Sequence, residues 1–240
     1  MINFAHRGAS SDYPENTVLA LKEGLKSGAK GLEIDVHKSK DNKLIVIHDE
    51  DIERTFIGRG LVKDFTLKEL KAFKNRKKLF TDNEECNIPT LEEVLDLIKD
   101  IDILLNIELK TDIIHYCGIE EDVINLIKSY KLEDKIILSS FNHESIKKVK
   151  AISNIKTGLL YEDPIKDIIQ YSKALGVDAI HPDLRLASKE LIDEAHKNNL
   201  KVNIFTVNNP IYMRLLIENK VDGIFTDYPE LLNEILEENK

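Results

Sequence analysis

The 240-residue chain is long enough to bury a sizeable core, and 42% apolar with 32% charged residues are globular values. A formal net charge of −9, with pI near 5.4, argues against a nucleic-acid or anionic-membrane surface without excluding a local basic pocket. No run approaches the roughly 18 apolar residues of a membrane span, no basic and apolar leader opens the chain, and Cys86 and Cys117 form no metal-type pair; the expectation is a cytoplasmic protein without stable membrane insertion.

Residues 2–5 read as a short apolar strand that stops at His6-Arg7-Gly8. A turn-rich stretch then leads into a helix ending near Ser27, with Asn16 or Thr17 as N-cap, Val18, Leu21 and Leu25 on the apolar face, and Gly28 as the stop. Residues 31–36 form the second strand. Because alternate strand residues share a face, Glu33, Asp35 and His37 look one way and Ile34 and Val36 the other. Carboxylates at that spacing are costly unless a metal, a basic partner or solvent compensates their charge.

Residues 44–47 are β-branched and apolar, a buried strand that ends at His48-Asp49. Only seven residues, HKSKDNK, separate it from Val36, too few for a parallel crossover. The spacing therefore predicts an antiparallel return that carries His48 back to the level of Asp35. The stretch from Asp49 to Leu91 is irregular: Gly58 and Gly60 mark a loop, residues 66–70 a short capped helix, and the basic run KAFKNRKKLF at 71–80 reads as solvated surface.

After a helix over 90–100, strands at 103–109, 135–139, 156–160, 177–181, 202–206 and 223–226 alternate with helices at 119–130, 143–153, 164–175, 188–199 and 210–219, and 229–238 closes the chain as a helix. Leaving out the return strand, eight parallel candidates remain, which predicts a single (β/α)8 TIM barrel over 1–240; an open doubly wound sheet is the rival.

In a barrel the chemistry lies at the C-terminal strand ends. His6, Arg7, Glu33, Asp35 and Glu108 fall there, and the hairpin delivers His48. Three acids from two strands suit one hard divalent cation, Mg2+ or Ca2+, better than zinc, although His6 or His37 could supply nitrogen. Salt bridges to Arg7 and Lys110 are the plainer use of the same acids. His6 and His48 suit an acid/base pair working near neutral pH on an ester that develops negative charge. Arg7 and Lys110 are the electrophilic partners for a phosphoryl oxygen, with Arg7 alternatively a clamp on the carboxylates. His181 ends a strand and is a candidate pocket-lining residue; His115, His143 and His196 need no functional reading.

The ordered set His6-Arg7-Gly8, Pro14-Glu15-Asn16-Thr17, Glu33-Ile34-Asp35-Val36-His37, Val46-Ile47-His48-Asp49, Glu53-Arg54-Thr55 with Gly58, Asn106-Ile107-Glu108-Leu109-Lys110, Ser139-Ser140-Phe141, Phe205-Thr206-Val207-Asn208 and Asp222-Gly223-Ile224-Phe225-Thr226-Asp227 resembles the glycerophosphodiester phosphodiesterases across essentially the whole chain. The resemblance implies a β/α barrel that hydrolyses glycerophosphodiesters such as glycerophosphocholine to sn-glycerol 3-phosphate and an alcohol. It also implies a divalent metal on Glu33, Asp35 and Glu108, an acid/base pair at His6 and His48, and residues 49–89 as a short insertion near the barrel mouth. Phe205 stands where many members carry Trp, which keeps an aromatic wall and loses an N–H donor. Three alternatives compete: a related phosphodiesterase of lysophospholipids, a non-catalytic phosphate- or metal-binding barrel, and a sugar-phosphate isomerase, the last disfavoured because strands seven and eight lack a Gly-rich phosphate loop.

Overall fold

The computed structural model describes residues 1–238. In chain order the elements are β1 (Ile2–His6), α1 (Val18–Lys26), β2 (Gly31–Lys38), β3 (Leu44–Val46), α2 (Leu67–Leu70), α3 (Leu91–Ile98), β4 (Leu104–Leu109), α4 (Ile119–Tyr130), β5 (Ile136–Ser140), α5 (His143–Ile152), β6 (Lys156–Tyr161), α6 (Ile168–Leu175), β7 (Ala179–Pro182), α7 (Lys189–Lys197), β8 (Lys201–Ile204), α8 (Pro210–Glu218), β9 (Gly223–Thr226) and α9 (Pro229–Glu238). All strands but β3 pair in parallel, and the β1–β2 pairing closes the ring, so the fold is a (β/α)8 barrel with one extra strand. Among the described residues no helix is long and apolar enough to cross a membrane.

The extra strand has a geometric reason. β2 is the longest strand and outruns β1: its pairing with β1 reaches only His6↔Glu33, while β4 follows it as far as Val36↔Leu109. The edge that β1 leaves free is taken by β3, antiparallel, with His37 opposite Ile45 and the Ile47 N–H donating to the Asp35 carbonyl. Backbone groups that would otherwise lie bare at the barrel mouth are thereby satisfied, and His48 arrives beside β2. The segment between β3 and α3 builds a small core of its own on this return strand, with Ile45, Ile47, Ile52, Phe56, Val62, Leu70 and Ile88 buried together.

Outward-facing strand residues such as Leu32, Ile34, Leu105, Ile107 and Leu138 pack against the helices, while the barrel interior holds Phe4, Ile137 and Phe225, with Phe4 stacked on Phe225 at 4.7 Å between centroids. Some element starts differ from the sequence pattern. α6 opens four residues late because Asp167 is left-handed (φ 52°), and β7 begins at Ala179 because Asp178 caps the connection, accepting from the Thr157 N–H at 2.8 Å. Of the two N-cap candidates for α1, Thr17 is the one that accepts, from the Ala20 N–H.

Gly158 on β6 shapes the interior. A Cβ there would sit 2.2 Å from the His181 ring, so the absence of a side chain is what lets the imidazole of β7 fill the barrel. Gly158→Ala is expected to cost about 1–3 kcal/mol of stability through overpacking. Adding His181→Ala should recover part of that loss, as read from denaturation midpoints; strictly additive effects would mean the two positions do not compete for space.

Candidate active site

The inward face of β2 supplies Glu33 and Asp35, and β4 sets Glu108 level with Asp35 in the register. All three side chains are buried, and one carboxylate oxygen from each lies within 4.8 Å of the others. Glu33 Oε2 accepts the backbone N–H of Arg7 at 3.0 Å, Asp35 Oδ2 accepts from Asn16 Nδ2 at 2.8 Å, and Glu108 Oε1 accepts from Lys110 Nζ at 2.9 Å. Arg7 Nε stands 3.4 Å from Asp35 Oδ2. Both Arg7 and Asn16 have positive φ (57° and 54°), the left-handed turns that bend the β1–α1 loop back over the acids.

The electrostatics show a cluster short of positive charge. Burial, and then the charge of Asp35, push the Glu33 carboxyl well above the usual range, and burial likewise raises Glu108 despite Lys110. Burial alone would raise Asp35 too, but Arg7, His48 and Lys110 outweigh it and hold the group down to about 2. Asp35 Oδ1 and Asn106 Oδ1 are buried without a hydrogen-bond partner among the described residues. Oxygen donors this close, anionic and partly unsatisfied, fit a hard divalent cation, whose ligands stand about 2.0–2.6 Å from a common centre. The residues that could hold it are therefore Glu33, Asp35 and Glu108. Arg7 and Lys110 both ion-pair with these acids, so the salt bridges that were the alternative to a metal are also formed.

The two histidines are built alike. His6 Nδ1 lies 2.6 Å from Asp227 Oδ1, and His48 Nδ1 lies 2.6 Å from Asp49 Oδ1. Burial would raise Asp227, but its bond to His6 and the side chains of Asn208 and Ser10 hold it at about 2; Asp49 is pulled down by His48 and Arg54. Both acids are thus ionised near neutral pH and can only accept. Each Nδ1 must then carry the proton, which leaves each Nε2 as the working nitrogen. Burial, and after it the charge of Arg7, lower the His6 pKa against the pull of Asp227.

Arg54 ties the return strand to the β1–α1 loop. Its guanidinium donates from Nε to Asp49 Oδ2 at 2.6 Å and from Nη2 to Glu15 Oε1 at 2.8 Å, and Glu15 Oε1 also accepts from Arg7 Nη1 at 2.9 Å. A continuous chain of charged hydrogen bonds therefore runs from the His48 ring through Asp49, Arg54 and Glu15 to Arg7, beside Asp35.

The two histidines, Arg7, Glu33, Glu108 and Lys110 line a cavity of about 420 Å3. Phe141, Leu160, Phe205 and Phe225 add apolar lining, with Phe141 and Phe205 edge to face at 5.7 Å and Lys110 Nζ 6.0 Å from the Phe141 ring centroid. His181 is not among the lining residues. It is fully buried in the space above Gly158, where Asn203 Nδ2 donates to its Nε2 at 2.9 Å and burial pushes its pKa down to about 3, so it fills the barrel instead of facing the pocket. His37 is also withdrawn: its Nε2 donates to the His48 carbonyl and its Nδ1 meets the Tyr116 hydroxyl, each at 3.0 Å, which leaves no nitrogen for a metal. Sequence reasoning placed none of Asp49, Asp227, Arg54, Glu15 and Asn16 in the site, Asn16 being read only as a candidate N-cap. Each lies in one of the motif runs that carried the family resemblance, which was the available signal.

The sequence pattern of the glycerophosphoryl diester phosphodiesterase family matches residues 6–231. A glycerophosphodiester phosphodiesterase of Caldanaerobacter subterraneus subsp. tengcongensis is 43% identical, over 95% of this chain and 94% of that one. One from Bacillus altitudinis is 39% identical over 99% and 98%. Among solved structures, an Oleispira antarctica phosphodiesterase in complex with its product sn-glycerol 3-phosphate superposes with a TM-score of 0.85 at 27% identity, covering 98% of this chain and 96% of that chain.

Proposed function

Because the chain belongs to the glycerophosphoryl diester phosphodiesterase family, we propose that it hydrolyses glycerophosphodiesters, glycerophosphocholine and glycerophosphoethanolamine among them, to sn-glycerol 3-phosphate and the free alcohol. The observation that carries this reading is the matched pair of imidazoles, each with Nδ1 on a carboxylate, opening on the cavity that Glu33 and Glu108 line.

In this reading Glu33, Asp35 and Glu108 hold one divalent cation, Mg2+ or Ca2+, which when bound supplies positive charge to the phosphate and to the more anionic transition state. Arg7 and Lys110 present further positive charge to the phosphoryl oxygens from beside the same acids. One histidine accepts, at Nε2, the proton of the attacking oxygen; the other gives one, from Nε2, to the oxygen of the departing alcohol. The attacker is water or the glycerol hydroxyl next to the phosphate. The second route forms a cyclic phosphate, which water then opens as the two histidines exchange roles. Phe141 and Phe205 offer the substrate's carbon skeleton an apolar wall, and the cavity volume of about 420 Å3 suits a small diester.

Metal-stripped protein, given Mg2+, Ca2+, Mn2+ and Zn2+ one at a time and assayed for glycerol 3-phosphate release from a panel of headgroups, tests the reaction, substrate and cation together. Mg2+ or Ca2+ should restore release. Faster choline release from lysophosphatidylcholine than from glycerophosphocholine would shift the reading to a lysophospholipid phosphodiesterase, and no release from any diester would leave a non-catalytic barrel.

Arg54 is a positioning residue in this scheme, acting on His48 through Asp49. Arg54→Gln should lower kcat about ten- to a hundredfold, the scale of a misplaced catalytic group, with metal affinity unchanged. Arg54→Lys should rescue little, since an ammonium cannot bridge Asp49 and Glu15 with the planar fork. Unaltered kcat in Arg54→Gln would reduce the contact to an ordinary surface ion pair.

A further inference from the structure

The basic run that the catalytic reading leaves unused has a distinctive setting. Between Arg54 and Lys78 nine residues are basic and two are acidic. Arg54, Arg59 and Lys71 are paired with acids outside the segment, whereas Lys74, Arg76, Lys77 and Lys78 have no ion-pair partner among the described residues. A charge farther away than about 8 Å is largely screened at physiological ionic strength, so a surface approaching these four cations senses them and their near neighbours and not the chain's total.

The backbone turns the cations and two aliphatic side chains outward together. Phe56 and Asn75 face each other in an isolated antiparallel bridge and are both buried. Strand alternation therefore sends their neighbours Ile57, Lys74 and Arg76 to the opposite, solvent side. Ile57 is 54% exposed, and Lys74 and Arg76 are exposed beside it. Farther on, Lys77 Nζ donates to the Tyr13 carbonyl at 3.1 Å and Phe80 packs on the Tyr13 ring. That anchoring to the β1–α1 loop fixes the turn between them and holds Leu79 out at 87% exposure, next to exposed Lys78. Because the β1–α1 loop also carries Arg7 and Glu15, the patch flanks the barrel mouth.

We propose that this patch docks the protein reversibly on an anionic phospholipid surface, with Lys74, Arg76 and Lys78 at the headgroups and Leu79 and Ile57 dipping into the headgroup and acyl boundary. A solvent-exposed aliphatic side chain framed by cations has no use on a free phosphate, but it is what an interfacial contact buries. An RNA partner would call for exposed aromatic rings between the cations, and the phenylalanines of this segment, Phe56, Phe65 and Phe73, are buried or half-buried in its own core. The proposal extends the catalytic reading and rests on it for its purpose: a glycerophosphodiester is a phospholipid stripped of its acyl chains, so the deacylation that supplies it takes place at a lipid surface.

Flotation of the full chain with phosphatidylcholine vesicles, with and without phosphatidylglycerol, tests the surface. Binding should need phosphatidylglycerol and fall with added salt. Lys74→Gln combined with Lys78→Gln should weaken partitioning about thirtyfold, at about fivefold per cation, and Leu79→Ser should weaken it further. All three positions lie outside the catalytic groups, so turnover of soluble glycerophosphocholine should be unchanged and reports that the variants fold. No wild-type binding to anionic vesicles, or equal binding by the variants, overturns the proposal. So does single-stranded RNA that binds as tightly as vesicles and is indifferent to Leu79→Ser, which would make the patch a polyanion site. Wild-type protein inactive on every diester would sink the catalytic reading, whereas vesicle binding is measured without turnover and stands or falls separately.

Discussion

His6→Ala and His48→Ala are each expected to lower kcat about 10²–10⁴-fold, the range for losing a positioned general acid or base, while KM, metal affinity and circular dichroism change little. The small collateral effect follows from where the rings sit. Each is held at Nδ1 by one carboxylate and lines the cavity, so truncation removes a proton carrier without opening the hydrophobic layers behind the strands. A glycerophosphodiester of p-nitrophenol separates the roles. Its leaving group departs without a proton, so the variant lacking the acid should regain most of the first-turnover rate of p-nitrophenolate release, whereas the variant lacking the base stays slow on both. Asp227→Asn should impair turnover nearly as much as His6→Ala. A carboxamide can donate to Nδ1 and so stabilise the tautomer with its proton on Nε2, the wrong one for a base. Full turnover in either histidine variant would remove the pair from the chemistry.

How far the site could be read from the sequence depended on the range of the contacts. The shared face of Glu33 and Asp35 follows from strand alternation alone, and the delivery of His48 follows from a linker too short for a crossover, so both were legible. Glu108 required only that β4 lie beside β2. Asp227 was a different matter: it reaches His6 across 221 positions of sequence because β9 closes the ring against β1, and no local pattern reports barrel closure at the level of one side chain. The Arg54 and Glu15 contact joins the irregular segment after β3 to the first loop, where no periodicity exists to be read. His181 illustrates the opposite failure. Its position at a strand end was visible, but the space that draws it into the interior is created by a missing side chain on the neighbouring strand, at Gly158. The basic run was legible as solvated charge; that Ile57 lies on the same side depended on the Phe56 and Asn75 bridge.

The second large effect concerns the acids, and it has opposite signs for stability and for function. Glu33→Gln should make the metal-free protein more stable, because the wild-type carboxylate is held, buried, beside Asp35 and Glu108, an environment that drives its pKa upward and so opposes its charged form near neutral pH. Glutamine keeps an oxygen to accept the Arg7 N–H and drops the charge. The same variant should lose most of the thermal stabilisation that added Mg2+ or Ca2+ confers, which for the wild type would be about 2.7 kcal/mol at a concentration one hundred times Kd. Glu108→Gln should raise the metal concentration for half-maximal turnover by at least the roughly 10–100-fold that losing even an indirect partner of a metal site costs, and it also leaves Lys110 without its ion-pair partner. Thermal denaturation across a metal titration reads both variants without any assay of turnover. The signature sought is a higher starting midpoint joined to a flattened metal response, since a cluster that only made salt bridges would lose stability when a partner of Arg7 or Lys110 was neutralised and would show no metal response to lose. A midpoint that falls in Glu33→Gln, with neither the variant nor the wild type responding to cations, would mean that the three carboxylates serve Arg7 and Lys110 alone.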